Sequence, residues 1–214
     1  MGTTVTAAGV FGSDLYLAQI GDSRAYLIRR KEAIQLTKDQ SLMQRLVDAG
    51  ELTEAEAEQS ERRNIILQAL GPDPRVKVDL TYQSIRRGDT LILCSDGLSG
   101  LVKREEFAML ATQHPEPPAL CAALIDLANE RGGPDNITVI TARFEGDGLP
   151  EPDGAGRVGY QSYQPSGGES SGPDTGEGES SSGQESTFSL DRLRNLGLIV
   201  ILLGVLMLLL AVWR

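Results

Sequence analysis

A chain of 214 residues with 40% hydrophobic content has room for one folded domain with appended segments. The formal net charge is −10 with no stripe of Lys or Arg, which excludes a nucleic-acid surface of the usual basic kind. Two cysteines without C-x-x-C spacing and one histidine exclude a disulfide scaffold and a Cys/His zinc site; Cys94 and Cys121, among apolar neighbours, read as reduced core thiols.

In chain order, residues 3–11 are small and β-branched and predict a strand. Gly12-Ser13-Asp14 turns the chain into a second strand over 15–20. Gly21-Asp22-Ser23 interrupts, and strand resumes over 24–29. Arg30-Lys31-Glu32 then turns into 33–36, completing an antiparallel meander. Residues 41–49 change period: apolar positions 42, 43, 46 and 47 predict a helix stopped by Gly50. Thr53-Glu54-Ala55-Glu56 fits a capping box and starts a second helix with little apolar face. Residues 39–64 therefore read as a surface flap. After the Gly71-Pro72-Asp73-Pro74 break, residues 76–85 alternate as a half-buried strand, and 90–94 run straight into Ser95-Asp96-Gly97. Helices are predicted over 103–111 and 119–130, the second with 120, 124, 127 and 128 on one face. Residues 137–144 form the last strand. Strands thus flank helices without βαβ alternation, which defines an α+β class with antiparallel sheets.

Composition changes at Gly146. Residues 146–189 hold eight acidic residues and one Arg, are rich in Gly, Ser and Pro, and bury too little apolar surface to offset ordering entropy. With the basic flank to residue 195 they read as a disordered linker, spanning roughly 35–40 Å for a flexible chain. Residues 196–213 are uncharged and dense in Leu, Ile and Val, just long enough to cross a hydrocarbon core of about 30 Å as one transmembrane helix. Arg192 and Arg194 precede this span and Arg214 follows it, which favours a single-pass membrane protein with its folded domain, residues 1–145, facing the cytoplasm.

Three aspartates stand at the ends of predicted strands: Asp22, Asp96 and Asp135. Taken alone, each reads as part of an ordinary turn or connection. Taken together, they are carboxylates brought to one end of a sheet. Like charges that close are costly unless a cation neutralises them. Oxygen ligands of this type suit Mg2+ or Mn2+, and two such ions lower the pKa of a water that attacks a phosphoryl group without a side-chain nucleophile.

The motifs Met1-Gly2-Thr3-Thr4, Gly21-Asp22-Ser23-Arg24, Ser95-Asp96-Gly97-Leu98 and Gly133-Pro134-Asp135-Asn136, in that order, resemble the metal-dependent protein serine/threonine phosphatases of the 2C type (PPM family) in their bacterial form. Asp39-Gln40-Ser41, Leu46-Val47-Asp48-Ala49-Gly50 and Ala69-Leu70-Gly71 in and beside the flap fit as well. The resemblance implies a partial αββα sandwich of antiparallel sheets flanked by helices. It implies Asp96 and Asp135 as ligands of a binuclear centre, Asp22 sharing a looser third metal with Asp96, Ser95 and Asn136 behind the ligands, and Arg24 in a structural pair. Phosphoprotein substrates follow, with a Ser/Thr kinase as the counterpart at the same membrane. The family's earlier segments supply a phosphate-gripping Arg, an Asp-Gly whose Asp bridges both metals and a His. This chain lacks them and His114 does not replace them, so a domain truncated at its N-terminus is expected, with very low activity of its own. The alternative is a non-catalytic relative, or a membrane-anchored interaction protein in which the Asp motifs are turns.

Overall fold

The structure, a computed structural model, describes residues 1–72, 75–152 and 158–164. The expected transmembrane span at 196–213 and most of the expected linker lie outside these residues. Among the described residues no helix is long and apolar enough to cross a membrane.

Two antiparallel sheets carry the fold. Strands β1 (Val5–Phe11), β2 (Asp14–Ile20) and β5 (Asp79–Ser84) form one, in the order β1-β2-β5. Strands β3 (Arg24–Arg29), β4 (Glu32–Gln35), β6 (Thr90–Cys94) and β7 (Val139–Arg143) form the other, in the order β4-β3-β6-β7. The alternation of β2 places Leu15 and Leu17 inward, where they meet Ala25 and Leu27 of β3, Leu91 of β6, and Leu36 and Ile85. The opposite face of the four-stranded sheet presents Tyr26, Ile28, Ile92 and Cys94 to helices α3 (Asp96–Ser99), α4 (Arg104–Gln113) and α5 (Pro117–Glu130). Both faces of β3 and β6 are covered, which explains the unbroken apolar run at 91–94. Phe107 stacks on Tyr26 with ring centres 4.7 Å apart, and Leu120, Leu124 and Ala128 form the buried stripe of α5.

Helices α3, α4 and α5 cover the four-stranded sheet, so the described residues form the three-layer stack of a partial αββα sandwich. Two predicted boundaries move. Helix α5 begins at Pro117 rather than 119, because proline suits the first helical turn. Strand β5 begins at Asp79 rather than 76, since its pairing with β2 stops at Gln19↔Asp79, next to the Gly21 turn.

The expected flap leaves the sheets through a neck. Leu42 N–H donates to Ile65 O at 2.9 Å, and Leu67 N–H donates to Gln40 O at 2.8 Å. Beyond the neck, α1 (Leu42–Asp48) is capped by Ser41, and α2 (Glu54–Gln59) by a Thr53–Glu56 capping box; α2 buries none of its residues.

The linker does not begin at 146 as composition suggests. Arg87 N–H donates to Pro150 O at 2.9 Å, and Tyr163 N–H donates to Leu80 O at 2.7 Å. Residues 146–152 and 158–164 are therefore held on the folded unit. The overall paucity of apolar residues conceals Tyr160 and Tyr163, which supply ring surface where β5 offers unpaired backbone groups.

Candidate metal centre

Register brings the three aspartates to one sheet end. Arg24↔Cys94 and Cys94↔Val139 are the last pairs on that side, and Asp22, Asp96 and Asp135 all lie just beyond them. The Asp22 turn is held from several directions. Gly21 has φ +101°, and a Cβ there would lie 2.4 Å from Thr4 Cγ2, so only glycine fits. Gln19 Nε2 donates to Gly21 O at 3.1 Å and to Ser23 O at 3.0 Å, bracketing Asp22. Gln40 Oε1 accepts from Gly21 N–H at 2.8 Å. The Ser23 and Thr4 hydroxyls share a hydrogen bond of 2.9 Å.

Asp22 is 7% exposed. Burial, then the Asp96 and Asp39 carboxylates, push its carboxyl up to about 6, against opposing pulls from its own backbone and Arg24. Arg24 offsets only part of this, because its hydrogen bonds go to Asp39: its Nε reaches both Asp39 oxygens at 2.9 and 3.0 Å, and its Nη2 reaches Oδ2 at 2.7 Å. The expected structural pairing of Arg24 is thereby found.

Asp96 opens helix α3 rather than simply ending β6, and it is exposed. Its Oδ1 accepts from Gly97 N–H at 2.9 Å. A Cβ on Gly97 would stand 2.5 Å from Asn136 O, so glycine here lets the Asp96 and Asp135 loops touch. Ser95 locks that approach: its Oγ donates to Asn136 O and accepts from Thr138 N–H, both at 3.0 Å. Asp135 is exposed, and its Oδ1 accepts from Asn136 N–H at 2.7 Å.

The structure thus brings Asp22 beside Asp96 and sets the Asp135–Asn136 loop against Gly97. It does not close a complete cage: among the described residues, no three His, Cys, Asp or Glu side chains stand together as a group able to hold an ion. The donors are of the right chemistry for Mg2+ or Mn2+, and the raised pKa of Asp22 marks a place that a cation would stabilise. They fit as part of a site. Both cysteines are free; burial pushes the Cys94 thiol up to about 12, so it is inert.

Sequence reasoning missed Gln19, which shapes the Asp22 turn from behind. Its signal was present: positions 15, 17 and 19 share the inward face of β2, and a polar residue among leucines needs a reason.

Layered antiparallel sheets with acidic turns at one sheet end, in this chain order, are similar to those of the bacterial 2C-type (PPM) serine/threonine phosphatases. Residues 1–46 match the family described as protein phosphatase 2C. The serine/threonine protein phosphatase PstP of Mycobacterium tuberculosis is 46% identical over 142 residues, covering 66% of this chain and 27% of that protein. The phosphatase stp of Listeria monocytogenes is 39% identical over 140 residues, covering 65% and 56%. The crystal structure of M. tuberculosis PstP superposes with a TM-score of 0.65 at 44% identity, covering 68% of this chain and 61% of that one. A structure of the PstP catalytic domain in complex with 2 manganese ions superposes at 0.60 with 44% identity, covering 67% and 59%. The chain therefore spans between 27% and 61% of the length of these relatives.

Proposed function

We propose that this chain is part of a metal-dependent phosphatase that removes phosphate from phosphoserine and phosphothreonine in proteins, and that it works at a membrane through residues 196–213. What supports the reading is that Asp22, Asp96 and Asp135 all lie beyond the last pairs at one end of one sheet, with the Asp135–Asn136 loop against Gly97. Asp22, Asp96 and Asp135 would hold Mn2+ or Mg2+, which supplies, when bound, an activated water and countercharge for the phosphoryl group. Gln19, Gln40 and Gly21 fix the backbone around Asp22. Ser95 fixes the separation of the Asp96 and Asp135 loops through Asn136 and Thr138. The counterpart is a Ser/Thr kinase acting on the same targets.

One observation favours a second reading. The described residues form no three-ligand group, so the chain by itself is expected to bind metal weakly and to turn over slowly. A non-catalytic relative that engages partners would show the same geometry. Titrating Mn2+ into the chain by calorimetry, with phosphopeptide turnover measured in parallel, separates the two. Mn2+ binding that Asp96→Asn abolishes, with detectable turnover, supports the phosphatase. No Mn2+ binding at millimolar concentration removes the metal centre and leaves the partner-binding reading.

A further inference from the structure

In the order β1-β2-β5 one outer edge of the three-stranded sheet belongs to β5. A strand edge is a row of unpaired amides and carbonyls ready to accept another segment. Here residues 158–164 lie along it. Tyr82 N–H donates to Gln161 O at 3.0 Å, Tyr163 N–H donates to Leu80 O at 2.7 Å, and Ser162 stands opposite Thr81 in antiparallel sense.

Side chains add specificity to these backbone bonds. Tyr160 Oη donates to the Asp79 carboxylate, 3.0 and 3.1 Å from its two oxygens. Gly159 N–H donates to Gln83 Oε1 at 3.2 Å. The Tyr163 ring meets Tyr16 edge-on at 5.2 Å, and Tyr16 lies 5.5 Å from Tyr82, so β2, β5 and the added segment share one aromatic cluster. Lys38 Nζ sits 5.9 Å from the centre of the Tyr160 ring. Tyr160 forms one wall of a cleft of about 190 Å³ shared with Lys38, Gln40, Lys77 and Asp79. Gln40 is also the residue that holds Gly21 beside Asp22.

We propose that the outer edge of β5 is a docking site for an extended segment with tyrosines at its first and fourth positions, and that its occupant is the chain's own Tyr160-Gln161-Ser162-Tyr163, acting as a detachable strap. The mode is strand addition: main-chain bonds give affinity, and the tyrosine seats give selectivity. Attachment to the same chain keeps the strap at high effective concentration, so a few bonds suffice to hold it. Residues 161–164 are exposed, so the strap opens locally while both sheets stay folded. It holds residues 158–164 on the sheet and beside the cleft that Gln40 shares. This assignment does not depend on the phosphatase reading.

Hydrogen exchange on the full chain tests it. In the wild type the Tyr82 amide is protected by its bond to Gln161 O. Tyr163→Pro removes the N–H given to Leu80 and should speed exchange at Tyr82 by about tenfold or more, as expected for local opening. Tyr163→Ala, which loses only the ring seat, should fall between. Tyr163→Phe keeps ring and N–H and should match wild type. Amides of Leu27 and Ile92, in the other sheet, should be unchanged throughout. Equal exchange at Tyr82 in wild type and Tyr163→Pro overturns the proposal. So does loss of protection at Leu27 and Ile92 in Tyr163→Pro, because the segment would then be part of the core and not a detachable strap.

Discussion

Strand β6 has an aspartate just outside each end, and the two could hardly be placed more differently. Asp89, before Thr90, is 1% exposed. It accepts from Arg29 Nε at 2.9 Å, Arg29 Nη2 at 2.6 Å and Arg86 N–H at 2.8 Å. That is a bidentate, charge-assisted pair with a third hydrogen bond from the backbone. Asp96, after Ser95, is exposed and its charge bears on Asp22, while the nearby Arg24 is engaged by Asp39. One end of the strand uses its carboxylate to close the structure. The other keeps carboxylates close to one another, an arrangement whose cost a bound cation would relieve.

The sharpest way to break this contrast is to truncate each aspartate. Asp89→Ala leaves the buried Arg29 guanidinium without its carboxylate and should lower stability by about 3–5 kcal/mol. Asp96→Ala removes an exposed group and should change stability by no more than about 0.5 kcal/mol. Urea unfolding of both variants measures this. Equal losses would show that the Asp96 end is also structural.

Metal addition works in the opposite direction. Mn2+ at about a hundred times its dissociation constant should raise stability by about 2.7 kcal/mol. The gain should vanish in Asp96→Ala while the rest of the fold is retained, and thermal melts with and without Mn2+ read it directly. A gain that survives in Asp96→Ala would place the ion elsewhere.

The contact between the Asp96 and Asp135 loops gives a third, smaller effect. Gly97→Ala drives a methyl group to within 2.5 Å of Asn136 O, so backbone must shift. Overpacking of this kind costs about 1–3 kcal/mol. The variant should lose Mn2+ affinity as well, because the shift separates the two aspartate loops. Calorimetric titration of Gly97→Ala beside unfolding measurements tests both halves.

The strands were legible in the sequence because their burial is periodic. Leu15 and Leu17 alternate on β2, and Leu91–Cys94 is continuous because both faces of β6 are covered. The carboxylates were legible because each follows or precedes an apolar run and sits by a turn residue. Sequence did not reveal how far apart the aspartates stand, since turn geometry sets that and here the described residues do not assemble three ligands. Gln19 was hidden because its function is to bond backbone atoms of a turn that periodicity does not describe. The strap on β5 was hidden for another reason: two tyrosines among glycine, serine and acid count for little in composition, yet they seat on a particular edge. Boundaries shifted where local chemistry outweighs pattern, as at Pro117.

The smallest prediction carries the comparison to the surface of the helix layer. Glu106 is a paired carboxylate like Asp89, but a partly exposed one. Arg131 Nη1 donates to its Oε2 at 2.7 Å, and Lys103 N–H donates to the same oxygen at 2.8 Å. Those hydrogen bonds, Arg131 first, pull its carboxyl down from 4.5 to about 2. A depressed acid binds its proton less readily in the folded state than in the unfolded state. Its contribution is therefore complete above pH 4.5 and is lost as pH falls from there towards 2. Solvent screens the pair, so Glu106→Gln should cost only about 0.5–1 kcal/mol near neutrality. The variant should also be less sensitive to acid than the wild type between pH 5 and about pH 3, because it no longer carries this titrating group. Unfolding free energies across that window decide it. Parallel curves for the two proteins would mean that Glu106 is as free in the fold as in the unfolded chain, and that pairing matters only where, as at Asp89, water is excluded.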